Sequence, residues 1–243
     1  MSKHRKFILT PITIELEKGI NATSIIEPNL ETFPLADYMF QSLFLRMTGF
    51  QEQKLKCINW ELATEDYDYR RSLLKNEDKF AEYSRIEDKQ AVYRNLLKCI
   101  QKESYDDFNA EDYLNKKSIC TSAKDEIVKM FAKTPFKFWS ERKYNFLKSN
   151  NTLIREEHFC VNGGLLNEPL ISLYNDLYNT RNRLAHNVMS YQDNMPTLKL
   201  LANNNEGSNN FFIYFALLNL IDKVFTEVYK LYSHIIDSRH YEQ

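Results

Sequence analysis

The chain has 243 residues, of which 43% are hydrophobic and 27% are charged, and its formal net charge at pH 7 is −1. This composition is typical of a globular protein that is long enough to bury a full hydrophobic core. The charge balance excludes a strongly basic or acidic protein, so a surface that binds nucleic acid would have to be a local patch. With only 5 glycines and 6 prolines, the sequence argues against an all-β fold and favours long helices.

The cysteines and the apolar runs indicate in which cellular compartment we expect the protein. Cys57, Cys99, Cys120 and Cys160 are widely spaced and form no C-x-x-C pair. This spacing supports neither a zinc site nor a disulfide framework, and it predicts reduced thiols in a cytoplasmic protein. The longest apolar run, residues 211–221, is shorter than the about 20 residues that span a bilayer, so we expect no membrane partner.

Residues 1–34 are predicted to form an N-terminal arm and a connector. Ile12, Ile14 and Leu16 alternate with polar residues, which is typical of a short strand or an extended arm. The turn-forming residues between positions 19 and 34 show little periodicity, which indicates a connector.

Residues 35–243 are predicted to form one helical domain. Apolar residues at helical spacing mark four long helices, at about 35–58, 81–103, 170–191 and 210–236. Shorter helices form an insertion at about 105–165. The predicted fold is therefore an all-α, up-and-down bundle of four long helices. Acidic residues between positions 103 and 112 match no calcium loop, so we interpret them as a solvated turn and predict no metal site.

The third long helix contains an arginine in an unusual place. Its apolar stripe consists of Leu170, Leu173, Leu177, Leu184 and Val188. Arg181 falls near the middle of that stripe. An arginine side chain does not lose its proton, and its unpaired burial is costly. Arg181 must therefore pair, reach solvent, or lie where the stripe opens onto a site or a partner.

Two polar residues follow Arg181 at a spacing that suits RNA chemistry. Asn182 and His186 are four residues apart and share one helix face, and the long Arg181 side chain can reach that face. Ala185 keeps the helix thin beside Arg181. The unperturbed pKa of histidine, about 6.5, suits proton transfer with a ribose 2′-hydroxyl or a leaving oxygen. The planar fork of arginine grips phosphate oxygens.

The run Arg181-Asn182-Arg183-Leu184-Ala185-His186 reads R-N-x-x-x-H and resembles the signature of the HEPN superfamily. The order of helices is also similar, and the resemblance covers about residues 35–236. The N-terminal arm and the insertion lie outside the family pattern.

The resemblance implies a metal-independent endoribonuclease without a cofactor, in which Arg181, Asn182 and His186 form the catalytic site. It implies that a homodimer brings two copies of the motif helix into one cleft, where Asn182 orients the imidazole or the substrate. The expected products carry a 2′,3′-cyclic phosphate and a 5′-hydroxyl. It also implies a toxin or immune effector that acts on RNA, with an antitoxin or a regulatory protein as a further expected partner.

Residues 133–148 combine five basic residues and one acidic residue with interleaved aromatic residues. Aromatic faces stack on bases and cations contact phosphates, so this segment is typical of a surface for single-stranded RNA. The candidate RNA-binding residues are Lys137, Trp139, Arg142 and Lys143. The alternative is a helical hairpin with aromatic residues in the core and basic residues in solvent.

Three alternatives for the motif remain open. Arg181 could pair with a carboxylate on a neighbouring helix, while His186 is simply favoured by the dipole at a helix end. A non-catalytic HEPN-like module would bind or regulate a partner. A plain helical scaffold would be monomeric, with Arg181 paired internally.

On the first long helix, Arg46 and Glu52 are polar residues that could approach the motif.

Overall fold

The computed structural model describes residues 2–23, 26–27, 29, 31–74, 83–104, 108–186 and 210–242. Within these ranges it contains eleven α-helices: α1 (Lys3–Leu9), α2 (Thr13–Thr23), α3 (Phe33–Glu65), α4 (Tyr67–Leu74), α5 (Ile86–Ser104), α6 (Ala110–Tyr113), α7 (Lys116–Phe131), α8 (Pro135–Trp139), α9 (Glu141–Ser149), α10 (Leu170–His186) and α11 (Phe211–Glu242). The two short strands are β1 (Phe159–Val161) and β2 (Gly164–Leu166). The prediction of an all-α fold is confirmed. None of the helices in these ranges has the length and apolar character needed to cross a membrane.

Helix α11 occupies the centre of the structure. Residues 212–222 are buried without interruption, so this part of the helix has no face toward solvent. A helix buried on all sides must be surrounded by other elements, and α11 packs against α3, α5, α7, α9 and α10. The long helices α3, α5 and α10 also contact one another, so the four predicted long helices form one core.

Helices α3 and α11 run in the same direction. Near the start of both helices, the ring of Phe40 lies 5.1 Å from that of Phe212. Near their carboxyl ends, Arg239 of α11 lies 3.8 Å from Glu65 of α3. The order of contacts along one helix therefore follows the order along the other.

Helix α5 shares that direction. Tyr93 contacts Phe225 at a ring-centroid distance of 6.1 Å, and Glu103, ten residues later, pairs with Arg239 at 2.9 Å. The long helices therefore do not alternate in a simple up-and-down order. The segments 66–85 and 105–169 that join successive long helices are long enough to return along the bundle, which permits parallel neighbours.

The prediction of an extended N-terminal arm is wrong, because residues 3–9 and 13–23 form the helices α1 and α2. Ile8, Ile12, Leu16 and Ile20 are spaced four residues apart and are all buried, whereas Ile14 is 38% exposed. This burial follows the helical period and not the alternation of a strand. Both helices pack against α3, so the N-terminal segment belongs to the core.

The predicted insertion is helical, as α6 to α9 show, but it ends in a hairpin that the sequence did not predict. Strands β1 and β2 pair antiparallel, with Phe159 opposite Leu166. The turn between them has Asn162 and Gly163 at φ values of 51° and 72°, which an Asn-Gly pair adopts readily. The side chain of Gln90 donates to the Gly163 carbonyl at 3.1 Å and holds the hairpin against α5.

Candidate functional site

Helix α10 carries the motif and is anchored by its apolar face. The carbonyl of Asn167 accepts a hydrogen bond from the Leu170 amide at 2.8 Å where the helix begins. Leu170, Tyr174, Leu177 and Thr180 are buried at helical spacing, and the helix packs against α3, α5 and α11. The motif therefore sits on a helix whose position is fixed by the bundle. Val188, predicted to extend the stripe, lies outside the described residues.

Arg181 lies at the edge of the buried face and is paired. Its Nη2 atom lies 3.4 Å from Oε1 of Glu52 on α3, and the two side chains are 27% and 16% exposed. Its Nη1 atom donates a hydrogen bond to Oδ1 of Asn182 at 3.0 Å. Asn182 therefore orients the guanidinium of Arg181 within this chain, and Glu52 partly compensates its charge.

The sequence suggested two residues of the first long helix as neighbours of the motif, and the structure shows that only one of them reaches it. Glu52 reaches Arg181. Arg46 instead pairs with Glu15 of α2 at 2.6 Å. Sequence periodicity places both on α3 but does not set the register between α3 and α10, so only the structure identifies the partner.

His186 is the last residue of α10 and is exposed, as are Arg183 and Ala185. Within the ranges that the structure describes, the imidazole makes no hydrogen bond or ion pair. Basic residues near the carboxyl end of a helix interact favourably with its dipole. One chain therefore offers an accessible imidazole about one turn beyond the Arg181–Asn182 pair.

A narrow cleft opens beside Arg181 between α3, α5 and α10. It is too narrow for a water molecule and has Thr48, Glu52, Ser84, Lys89, Tyr174 and Arg181 among its walls. Lys89 is only 1% exposed, and its Nζ atom lies 5.6 Å from the centre of the Tyr174 ring. A buried lysine and the motif arginine therefore line the same cleft.

The environment of Lys89 disfavours its charge. Burial lowers the pKa of Lys89 to about 7, Arg181 adds to this effect, and the carboxylates of Glu52 and Asp88 oppose it. Sequence reasoning did not single out Lys89. The signal was present, because Lys89 is three residues after Ile86 and four before Tyr93, on the apolar face of α5.

The basic and aromatic segment, residues 133–148, forms a helical hairpin of α8 and α9 with a mixed surface. Phe136 and Tyr144 are buried in the core, and the Nζ atom of Lys137 lies 5.3 Å from the Tyr144 ring centre. Arg142 is exposed. Burial lowers the pKa of the half-buried Lys143, and this shift is opposed by Asp37.

Trp139 packs against other aromatic residues. Its ring lies 5.0 Å from that of Phe33 and 5.2 Å from that of Phe138, and its buried Nε1 has no hydrogen-bond partner among the described residues. Phe138 is 60% exposed. The aromatic surface that this segment offers to solvent is therefore mainly that of Phe138.

The first turns of α11 connect this segment with the motif helix. The Asn210 side chain donates to the Lys143 carbonyl at 2.9 Å. One turn later, the Tyr214 hydroxyl lies 3.5 Å from the Thr180 hydroxyl, next to Arg181. The basic segment and the motif therefore adjoin the same end of α11.

Comparisons of the chain with protein families, with curated proteins and with solved structures find no match. Within the parts of the chain that the structure describes, no three or more His, Cys, Asp or Glu residues are grouped so that they could hold a metal ion. The fold and the site define an all-α bundle with two cations, Lys89 and Arg181, beside an accessible histidine.

Proposed function

We propose that the protein is a metal-independent endoribonuclease of HEPN type that acts as a toxin or an immune effector. The observation that carries the proposal is the arrangement of the motif on the last turns of α10. Arg181 and Asn182 are joined by a hydrogen bond, and His186 is open to the surface. The packed face of the helix fixes the position of all three residues.

In the proposed reaction, His186 takes the proton of a ribose 2′-hydroxyl. The 2′-oxygen attacks the neighbouring phosphorus, the bond to the 5′-oxygen breaks, and the leaving oxygen receives a proton. The products are a 2′,3′-cyclic phosphate and a 5′-hydroxyl. Arg181 stabilises the charge on the non-bridging oxygens, because its planar fork donates two hydrogen bonds at once.

A single imidazole cannot act as base and acid in the same step, so the proposed site needs two chains. In a homodimer formed through α10, His186 of one chain supplies the base and that of the second chain the acid. Ala185 is exposed beside His186, and its small side chain permits close approach of two helices. The basic segment flanks this cleft, and Lys137, Trp139, Arg142 and Lys143 belong to the proposed RNA-binding surface.

The decisive assay incubates the purified protein with RNA in the presence of EDTA. We expect wild type to cleave and His186→Ala to lose activity at least about 100-fold, the range that general acid–base groups contribute. Arg181→Ala should lose at least about 100-fold as well, the range for removing a donor that stabilises transition-state charge. His234→Ala and Arg183→Ala are matched controls, because both residues are exposed and lie outside the three proposed catalytic positions. Cleavage that survives both motif substitutions, or that requires magnesium, would refute the mechanism.

The dimer has its own test. Ala185→Trp places a bulky side chain at a position that is exposed in one chain, so we expect it to fold but to elute as a monomer and to lose cleavage. Light scattering after size exclusion measures the mass of both proteins. A wild-type monomer that cleaves RNA would contradict the composite site.

The pairing of Arg181 with Glu52 favours a second candidate, a non-catalytic HEPN-like binding or regulatory module. In such a module, the arginine is already compensated within the chain. Expression in cells separates the candidates, because a ribonuclease toxin arrests growth in a manner that depends on His186. Equal growth with wild type and His186→Ala favours the module.

A further inference from the structure

The cleft beside the motif contains a cation that the proposed mechanism does not use. Lys89 is 99% buried, since only 1% of its surface is exposed, and it lines the cleft together with Arg181. Its ammonium lies over the Tyr174 ring at 5.6 Å. Within the described ranges it donates no hydrogen bond and forms no ion pair within 4.0 Å. A buried ammonium without a hydrogen-bond acceptor is costly.

Two cations and one carboxylate line the cleft. Arg181 and Lys89 are the cations, and Glu52 is the carboxylate that interacts with both. Asp88, which neighbours Lys89 in sequence, is half-buried and attracts it more weakly than Glu52 does. The other polar groups that line the cleft, from Thr48, Ser84, Tyr174 and Tyr178, are neutral hydroxyls. Arg85, which is not among the lining residues, donates to the Tyr178 hydroxyl at 3.4 Å.

The contact between Glu52 and Arg181 is loose. The distance of 3.4 Å to Arg181 is long for a charge-assisted hydrogen bond, for which about 2.7–2.9 Å is usual. A phosphate group has more acceptor oxygens than a carboxylate and can accept from a guanidinium fork and an ammonium at the same time. It therefore suits the two cations better than Glu52 does.

We propose that the cleft is an anion subsite, in which a phosphate group of an RNA backbone displaces the Glu52 carboxylate and is held by Lys89 together with Arg181. The identity of the ligand as RNA rests on the proposed function, whereas the binding of a tetrahedral anion does not. The cleft is too narrow for a water molecule while the Glu52 side chain occupies it, so the phosphate enters only as that carboxylate moves out. Lys89 contacts the bound phosphate in this arrangement, and Glu52 acts as a resident carboxylate that keeps the unliganded cleft closed.

The proposal predicts a coupling between anion binding and protonation. Because the pKa of Lys89 is about 7 in the empty cleft, an anion that binds its charged form causes uptake of a proton above that pH. The affinity then falls by about tenfold for each pH unit above 7, until the pKa of the bound state is reached. Binding that involves only Arg181 would lack this dependence.

Titration calorimetry with sulfate tests the subsite, because the charge of sulfate is constant between about pH 6 and pH 9. We expect wild type to bind more tightly as the pH falls from about 9 to 7. Lys89→Met should bind at least about tenfold more weakly near pH 6.5 and should lose the pH dependence. Glu52→Gln, which removes the competing carboxylate, should bind at least about tenfold more tightly. Unchanged affinity in both variants overturns the proposal.

Two controls accompany these variants. Lys98→Met removes an exposed lysine from the same helix and should bind sulfate like wild type. His234→Asn removes an exposed histidine outside the motif and should keep the pH profile of wild type. If Lys89→Met fails to fold, the opposite effect expected for Glu52→Gln decides the matter.

A 2′-O-methyl RNA oligonucleotide, which cannot be cleaved, tests whether the cleft binds RNA. Its affinity should respond to the same substitutions as that of sulfate. Sulfate binding that depends on Lys89, in a protein that does not cleave RNA, supports the subsite and refutes the ribonuclease. In the converse outcome, the protein cleaves RNA while substitutions of Lys89 and Glu52 leave its affinity for sulfate and RNA unchanged. That outcome supports the ribonuclease and refutes the subsite.

Discussion

The Nζ atom of Lys54 lies 2.6 Å from Oδ1 of Asp222, and both side chains are only 4% exposed. The second oxygen of Asp222 accepts a hydrogen bond from the Ile12 amide at 2.9 Å. Burial raises the pKa of Asp222 and lowers that of Lys54, and each partner opposes the shift of the other. One carboxylate therefore joins α3, α11 and the segment that leads into α2.

Lys54→Met should strongly destabilise the fold, because it leaves the Asp222 charge buried without its partner. We expect the free energy of unfolding to fall by about 3–5 kcal/mol, measured by urea denaturation. Lys230→Met is the control, since Lys230 and Glu227 form an exposed pair at 2.7 Å that should contribute less than about 1 kcal/mol. Similar losses in both variants would show that burial does not decide the effect.

Lys89→Met should stabilise the protein near neutral pH. Lys89 has a pKa of about 7 in the folded chain, below the ordinary value of about 10.4 in an unfolded chain. Between these values the unfolded state binds more protons, so this group makes wild-type stability rise with pH, by at most about 1.4 kcal/mol per pH unit.

Thermal melts between about pH 7 and pH 9 check this effect. The variant should melt at a higher temperature than wild type at pH 7, and the difference should shrink toward pH 9. Melting curves of the two proteins that shift in parallel with pH would show that Lys89 keeps an ordinary pKa in the folded chain.

A pair of isoleucines tests whether the N-terminal segment is part of the core. Ile12 is fully buried and Ile14 is 38% exposed. Ile12→Ala should lower the free energy of unfolding by about 2–5 kcal/mol through the lost contacts and the cavity. Ile14→Ala, the same chemical change two residues away, should stay within about 0.5 kcal/mol. Equal effects would fit a loosely attached arm.

Arg181→Ala should change stability by less than about 1 kcal/mol, because its pair with Glu52 is long and partly exposed. Denaturation of Arg181→Ala, Glu52→Ala and the double variant measures the coupling energy directly. A small coupling means that any loss of RNA cleavage in Arg181→Ala reflects the site and not unfolding. A loss above about 3 kcal/mol would assign Arg181 a structural role.

The long helices could be predicted because their apolar residues recur at helical spacing over many turns. The start of α11 at Phe211 lies one residue from the predicted position, where Asn210 accepts a hydrogen bond from the Phe212 amide at 3.1 Å. The prediction for the N-terminal segment was wrong because Ile12, Ile14 and Leu16 fit both an alternating and a helical pattern. Only burial separates the two patterns. The sequence did not predict the hairpin because three-residue strands are too short to show alternation.

The candidate site could be predicted in part. Arg181 was noticeable because it interrupts an apolar stripe. Lys89 and Lys54 interrupt the stripes of α5 and α3 in the same way, so the same criterion would have found them. The pairing of Arg181 with Glu52 could not be predicted, because it depends on the register between two helices that are far apart in sequence.

The shared direction of α3, α5 and α11 gives the molecule an electrical polarity. Parallel helices add their dipoles, so partial negative charge collects at their carboxyl ends, where Arg239 lies between Glu65 and Glu103. Partial positive charge collects at the amino ends of α3 and α11, where the hairpin of α8 and α9 packs through the stacked rings of Phe136 and Phe40. The carboxyl end of α10 lies at this same end, beside Tyr214, and offsets part of the backbone field, so the basic side chains of that hairpin are what would draw a polyanion there.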